Sequence, residues 1–132
     1  MKKLDKLNQC GYIKEMNIKA NINYNNRKFR LIKNSENGET SSETIFEYKQ
    51  EGEILTSTYS GGKIIKGHLI GLVDNVGNIN MRYHQVNEKG VLMTGICKSK
   101  PELLPNGKIR LHENWNWTSS DKSNGISILE EI

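Results

Sequence analysis

Hydrophobic and polar residues alternate along most of the chain after position 27. Near the C-terminus, for example, Ile109, Leu111, Trp115 and Trp117 are separated by polar residues. A period of two is typical of a β-strand with one buried face, because successive side chains of a strand point to opposite sides of the sheet. The pattern predicts eight strands, at positions 27–33, 43–51, 53–60, 63–72, 78–86, 91–98, 108–117 and 126–131.

Glycine-containing turns separate these strands. The most telling are Asn37-Gly38, Gly61-Gly62, Asn106-Gly107 and Asn124-Gly125. Both residues of an Asn-Gly pair tolerate positive φ, which makes the pair a strong hairpin signal. Short connections make consecutive strands antiparallel neighbours, and pairing the first strand with the last removes both exposed edges. The fold class we predict is therefore all-β, a single eight-stranded antiparallel up-and-down barrel, with a two-sheet sandwich as the alternative.

The alternation also predicts which side chains face the barrel interior, since each strand has one face with little or no charge. The predicted inward residues are Phe29 and Leu31; Thr44, Phe46 and Tyr48; Leu55, Ser57 and Tyr59; Ile65, Gly67, Leu69 and Gly71; Ile79, Met81, Tyr83 and Gln85; and Ile109, Leu111, Glu113, Trp115 and Trp117. His68, His84 and His112 fall on the opposite face among Lys, Arg and Asn, which favours solvated histidines over a metal site. A one-residue bulge would invert any of these faces.

Glu113 is the one charged residue in the predicted interior. A carboxylate placed there costs several kcal/mol unless it is paired, hydrogen-bonded or protonated. One interpretation is a cavity carboxylate that orients a ligand between aromatic walls and tyrosine hydroxyls. The alternative is a carboxylate near the barrel rim that reaches water or pairs with Arg or Lys to fix strand closure, with the two tryptophans as core. Under the first interpretation, the candidate ligand-binding residues are Glu113, Trp115, Tyr59, Tyr83, Tyr48, Phe46 and Met81.

The charge distribution separates the N-terminal region from the barrel. The 132-residue chain has a net charge of +4, but its first 33 residues carry +7 and the remainder carries −3. A nucleic-acid-binding domain should carry its positive charge as a patch on the folded surface, so the basic pI is a weak indication of such a partner. We predict that residues 1–26 form an N-terminal extension, flexible or with a short helix near 12–20, and that residues 27–132 form the barrel domain.

The cysteines, the N-terminal residues and the motif content restrict the functions that the chain can have. Cys10 and Cys97 are too few and too far apart for a zinc site or a disulfide scaffold, and Lys2 and Lys3 precede no apolar signal segment, so we expect a cytoplasmic protein. No apolar run reaches the length of a membrane span. The chain contains no G-x-S-x-G, H-E-x-x-H, P-loop or G-x-G-x-x-G motif. We therefore expect no cofactor and no bound metal.

An eight-stranded barrel is just wide enough either to be filled by its own side chains or to hold one small ligand. The function we favour is a carrier or sensor of a small, partly apolar molecule inside the barrel. An enzyme that uses the same cavity is the first alternative. A single-stranded nucleic-acid binder is the third candidate function, although it would need aromatic residues beside Lys and Arg on an open face. Apolar residues on the predicted outer face, such as Ile64 and Ile70, could also join copies into a homo-oligomer.

The stretch from Arg27 onward resembles a family of small bacterial proteins, some of which are labelled N-acetylglutamate synthase. The shared pattern is Arg27-Lys28-Phe29-Arg30, Asn37-Gly38-Glu39, Tyr59-Ser60-Gly61-Gly62-x-Ile64, Gly67-x-Leu69-Ile70-Gly71, Arg82-Tyr83 and Arg110-Leu111-x-Glu113-x-Trp115-x-Trp117. The acetyltransferase fold holds acetyl-CoA at a glycine-rich turn before a helix. The barrel pattern predicts neither element, so the sequence does not support N-acetyltransferase activity. By architecture the chain is similar to lipocalin-like and avidin-like barrels, although it lacks the lipocalin G-x-W in its first strand.

Overall fold

A computed structural model describes residues 22–132 of the chain, which form a closed antiparallel barrel of eight strands in sequence order. The strands are β1 (Arg27–Asn34), β2 (Ile45–Glu51), β3 (Ile54–Gly61), β4 (Ile64–Val73), β5 (Ile79–Asn87), β6 (Leu92–Leu103), β7 (Ile109–Trp117) and β8 (Asn124–Glu131). The predicted all-β barrel is confirmed, and the sandwich alternative is wrong. The largest difference in bounds is in β6, which continues through Pro101 to Leu103 instead of ending at position 98.

The barrel closes because β1 pairs with β8, in a register that places Leu31 opposite Leu129. An ion pair supports this seam: the Arg27 guanidinium lies 3.0 Å from the Glu131 carboxylate. The same carboxylate accepts a hydrogen bond from the backbone N–H of Ile109 at the start of β7. Closure leaves no unpaired strand edge along the sheet, which is the physical reason for preferring a barrel to an open meander.

Inward faces were predicted for six strands, and the structure agrees with them in every one of these but β4. There the structure buries Ile64, which is 2% exposed, and leaves Ile65 61% exposed. The cause is an irregularity in the pairing with β5 between Ile64 and Lys66, which inverts the face at the start of the strand. The prediction that Ile65 faces inward and Ile64 outward is therefore wrong, whereas Gly67, Leu69 and Gly71 face inward as expected.

Tyr24 closes the end of the barrel where β1 begins. It lies within the predicted N-terminal extension, yet it is fully buried, and its hydroxyl donates a hydrogen bond to the carbonyl of Gly77 at 2.6 Å. Its ring packs against Phe29 and Tyr48 in the core. The core thus includes residues before position 27. The predicted helix near 12–20 lies outside the described residues.

The long connection between β1 and β2, residues 35–44, covers the opposite end of the barrel. The carbonyl of Asn37 accepts a hydrogen bond from the Trp117 indole at 3.3 Å, and the Asn37 amide donates to Ser123 and to the carbonyl of Asn124. These contacts hold the loop against the last β-hairpin. Within the part of the chain that the structure describes, no helix is long and apolar enough to cross a membrane.

Candidate functional site

A cavity lies inside the barrel, beneath the loop of residues 35–44. Its volume is about 60 Å³, which accommodates a few water molecules or a small functional group. All seven candidate ligand-binding residues from the sequence line it. The full lining is Gly38, Glu39, Thr40, Phe46, Tyr48, Tyr59, Leu69, Met81, Tyr83, Gln85, Cys97, Glu113, Trp115, Trp117, Ser127 and Leu129.

Aromatic rings form most of the apolar wall. Phe46 and Tyr59 have ring centroids 4.6 Å apart, and Tyr83 meets Trp117 edge to face at 5.6 Å. Two of these rings, Tyr59 and Tyr83, each lie beside a glycine of the adjacent strand, which makes room for the ring. A Cβ atom at Gly67 would collide with the Tyr59 ring, and one at Gly95 would collide with the Tyr83 ring. The rings therefore lie flat against the backbone of the adjacent strand, which leaves space in the lumen.

Glu113 projects from the middle of β7 into this lumen. Its carboxylate accepts a hydrogen bond from the Ser99 hydroxyl at 3.1 Å. Burial raises the pKa of the Glu113 carboxyl from its ordinary value of 4.5 to about 7, and the bond from Ser99 opposes the shift only in part. No Lys, Arg or His from residues 22–132 lines the cavity, so the interpretation of Glu113 as a rim carboxylate paired with a cation is wrong. Near neutral pH, this group can either accept or donate a proton.

Tyr48 contributes a second polar group to the cavity. The residue is fully buried, and its hydroxyl has no hydrogen-bond partner among the described residues. Leaving a buried donor unpaired costs about 1–3 kcal/mol. Burial also raises the pKa of the Tyr48 hydroxyl well above its ordinary range, with the nearby Glu113 carboxylate adding to the effect. Tyr48 therefore stays protonated, and its O–H is an unused donor on a residue that lines the cavity.

A chain of hydrogen bonds fixes the Trp115 indole on the cavity wall. The indole N–H donates to the Ser127 hydroxyl at 2.8 Å, and Ser127 donates to the side-chain oxygen of Asn34 at 2.6 Å. The Asn34 amide then donates to the carbonyl and hydroxyl oxygens of Thr40 at 3.0 Å. One side of the covering loop is thereby connected to the cavity wall through satisfied polar groups.

Sequence reasoning missed Glu39, which lies at the mouth of the cavity. Its carboxylate accepts hydrogen bonds from the side-chain amides of Gln85 at 2.8 Å and Asn87 at 2.7 Å. Alternation identified Gln85 as inward-facing, but nothing in a strand pattern places a loop residue. The one available signal was the Asn37-Gly38-Glu39 element of the resemblance. Cys97 was also missed, and burial raises the pKa of its thiol well above the ordinary value, so it remains a neutral apolar group there.

The three histidines lie on the outer face of the barrel, as predicted. His68 and His84 are cross-strand neighbours with ring centroids 5.4 Å apart, and His112 lies 2.8 Å from the Glu102 carboxylate. Residues 22–132 contain no group of three or more potential metal ligands. The aromatic residues that a single-stranded nucleic acid would stack on, Tyr59 and Trp115 among them, are buried in the barrel instead.

Comparison with known proteins places this architecture in a family. A family model described as "Avidin-like protein" matches residues 22–132. No curated protein and no solved structure gives a significant match to the chain.

Proposed function

The chain belongs to the avidin-like family, and from this premise we propose that its barrel binds one small, partly apolar molecule as a carrier or sensor. Avidin-like barrels bind small ligands such as biotin. The observation that carries the proposal is the Tyr48 hydroxyl, a fully buried donor without a partner among the described residues, on a residue that lines the cavity. A folded protein tolerates such an uncompensated cost most readily where a ligand supplies the missing acceptor.

Two of the polar residues that line the cavity, Tyr48 and Glu113, define the chemistry of the ligand's inner end. Tyr48 offers a donor, and Glu113 offers an acceptor once it is ionised. An amide or a ureide satisfies both, because its carbonyl accepts and its N–H donates. An anionic inner end is disfavoured, since no cation of residues 22–132 lines the cavity and Glu113 would repel it. The aromatic walls then pack against an apolar body.

Binding is tested first by asking whether the purified protein retains a molecule. Mass spectrometry of the small molecules released on denaturation should find one compound in near-stoichiometric amount, and calorimetric titration of the emptied barrel with that compound and with biotin measures affinity. Tyr48→Phe should weaken binding about fivefold, the effect of one lost hydrogen bond of about 1 kcal/mol.

Tyr24→Phe is the matched control, because it removes the same atom from a tyrosine that does not line the cavity. It should leave affinity unchanged. A barrel that retains nothing and binds neither biotin nor a panel of amides and ureides contradicts the proposal. So does a Tyr48→Phe variant that binds as tightly as the parent protein.

The proposal also includes a second copy of this chain as a partner. Avidin-like barrels often form oligomers, and the outer face of β3 and β4 carries a patch of three exposed apolar residues, Ile54, Ile70 and Leu72. Ile54 and Leu72 are direct cross-strand neighbours, and Ile70 is two positions from Leu72 on the same face. Burying this patch against a second barrel would remove it from water. The sequence also predicted Ile64 as an outer-face contact between copies, but Ile64 cannot contribute, because it faces the core.

A further inference from the structure

The outer surface of strands β3 to β7 carries almost no negative charge. Among the residues of these five strands that face away from the lumen, Glu102 near the end of β6 is the one acid. Its carboxylate is already partnered, because it lies 2.8 Å from the His112 imidazole and 3.7 Å from the Arg110 guanidinium. The turns that join these strands contribute Asp74 and Glu88 at the two ends of the barrel. We call the outward-facing side chains of β3–β7 the cationic wall.

Four exposed cations lie on the cationic wall, and none forms an ion pair with a carboxylate of residues 22–132. They are Lys66 on β4, Arg82 on β5, and Lys98 and Lys100 on β6. Arg82 donates to neutral oxygens instead, those of the Asn80 side chain at 2.9 Å and the Met81 carbonyl at 3.2 Å. Lys98 lies opposite Asn80, so Arg82 and Lys98 are diagonal neighbours with Cα atoms about 7–8 Å apart. The positive charge of the wall is thus available to a partner.

The other side of the barrel, formed by β8, β1 and β2, has charges of both signs. Lys28 lies opposite Glu47 in the β1–β2 register, and Arg30 lies opposite Glu130 in the β1–β8 register. Each of these cations has a carboxylate on the neighbouring strand, which offsets its electric field. The barrel therefore has one cationic side and one side of mixed charge.

Exposed aliphatic side chains lie among the cations of the wall. Ile65 on β4 is 61% exposed, and Leu92 on β6 is 62% exposed. Ile65 is the extra residue where the β4–β5 pairing shifts, directly before Lys66 in sequence. Leu92 lies opposite Val86, which in turn lies opposite Lys66. The tyrosines and tryptophans of β3–β7 all belong to the core or pack against it. The wall thus presents aliphatic groups and cations, with no indole or phenol ring.

We propose that the cationic wall binds the surface of a bilayer that contains anionic lipid. Lysine and arginine are attracted by the negative potential of such a surface, and exposed aliphatic side chains enter the boundary between headgroups and acyl chains. A single-stranded nucleic acid fits less well, because its bases need aromatic rings to stack on. The contact requires no membrane-spanning segment. It goes beyond the proposed function and does not depend on which molecule the barrel binds in its lumen.

Vesicle flotation measures this contact with the full chain. The protein should float with vesicles of about three parts phosphatidylcholine to one part phosphatidylserine, and far less with vesicles of phosphatidylcholine alone. The double variant Arg82→Gln with Lys98→Gln should bind the anionic vesicles about 25-fold more weakly, which is about fivefold for each lost charge. Residues 1–21 are unchanged in every variant, so their own charges cannot produce a difference between variants.

The double variant Lys28→Gln with Arg30→Gln is the matched control for charge. It also removes one lysine and one arginine, so its net charge equals that of the first double variant. Because these side chains lie on the other side of the barrel, salt screens them from the bilayer at physiological ionic strength, where the Debye length is about 8 Å. Its affinity for anionic vesicles should change by less than about twofold.

A second matched pair tests the aliphatic contribution. Ile65→Ser should weaken binding to anionic vesicles about threefold or more, since an aliphatic group is lost from the bilayer contact. Ile32→Ser should leave binding unchanged. Ile32 is likewise the extra residue at a register shift, but it lies in β1 on the side of mixed charge and is 50% exposed.

The inference would be overturned by a protein that does not float, by equal binding to both vesicle compositions, or by equal losses within either matched pair. Release of the vesicle-bound protein by duplex DNA at an equal concentration of negative charge would also overturn it, and would assign the wall to nucleic acid. Superimposable thermal unfolding curves establish that each variant is folded. None of the substituted residues lines the cavity, so ligand binding in the lumen can fail or succeed independently.

Discussion

At the scale of single residues, the cavity contains two groups that weaken the fold. Tyr48 has a buried hydroxyl without a partner among the described residues, and Glu113 has its carboxyl in the barrel lumen with one hydrogen bond, from Ser99. Each would be replaced by an apolar residue if stability alone mattered, because buried polar groups cost free energy unless they are satisfied. Replacing such a residue by an apolar one should therefore raise the free energy of unfolding and weaken ligand binding.

The Tyr48→Phe substitution separates these two effects. The free energy of unfolding of the ligand-free protein should stay the same or increase by up to about 1 kcal/mol, because the unpaired hydroxyl is removed and the ring remains. Chemical denaturation with the emptied protein measures this change. Tyr24→Phe should instead lose stability, since its hydroxyl bonds to Gly77. A marked loss of stability in Tyr48→Phe would mean that its hydroxyl has a partner in the folded protein.

Glu113 should make stability depend on pH. Its folded pKa is about 7, above the ordinary 4.5, so its neutral form stabilises the fold fully below pH 4.5. That contribution is lost as the pH rises to about 7, and the loss is on the order of 3 kcal/mol. Glu113→Gln removes the titrating group. The free energy of unfolding of the parent protein, measured relative to that of Glu113→Gln, should fall between pH 4.5 and 7.5. A flat difference would show that the Glu113 carboxyl titrates normally.

At the scale of strands, cross-strand contacts between glycine and aromatic residues shape the cavity. Tyr59 lies opposite Gly67 in the β3–β4 register, and Tyr83 lies opposite Gly95 in the β5–β6 register. Each ring covers the glycine of the next strand, so pairs of positions rather than single residues determine the width of the lumen. Alternation predicted that Gly67 faces inward but not which ring it accommodates, since register between strands depends on turns and bulges.

Gly67→Ala tests this arrangement. Gly67 does not have a positive φ, so the substitution acts through its collision with the Tyr59 ring. The free energy of unfolding should fall by about 1–3 kcal/mol. Adding Tyr59→Leu removes the ring, and the double variant should lose less than the sum of the two single changes in a double-mutant cycle. Strict additivity would show that the ring and the glycine do not interact.

At the scale of the whole molecule, the two ends of the barrel differ. Tyr24 closes one end: its hydroxyl donates a hydrogen bond to Gly77 in the β4–β5 turn, and its ring packs edge to face against Tyr48 in the core. The loop of residues 35–44 covers the other end through polar contacts, including those of Asn37 and Glu39. Polar contacts exchange with water more readily than an aromatic core does. Ligand exchange is therefore expected at the loop end.

Self-association through the outer face of β3 and β4 is measured by light scattering on the eluting protein. We expect a mass of at least twice the 15.1 kDa of one chain. Leu72→Lys should shift the mass to that of a monomer, because it places a charge in the apolar patch. Ile126→Lys is the matched control, since Ile126 is comparably exposed on β8 outside the patch. A parent protein of 15.1 kDa, or equal effects of both lysines, would contradict this expectation.

The sequence by itself determined the strand number, the antiparallel order and most of the inward faces, because a period of two and glycine turns are local signals. It also identified Glu113 and Tyr48 as interior polar groups. Tertiary structure alone decided which end each loop covers, that Ile64 and not Ile65 faces inward, and that Glu39 meets Gln85 and Asn87. These features depend on register, bulges and loop paths, which arise from contacts between residues distant in sequence. The residues that form the cavity walls could therefore be predicted from the sequence, and those at its mouth could not.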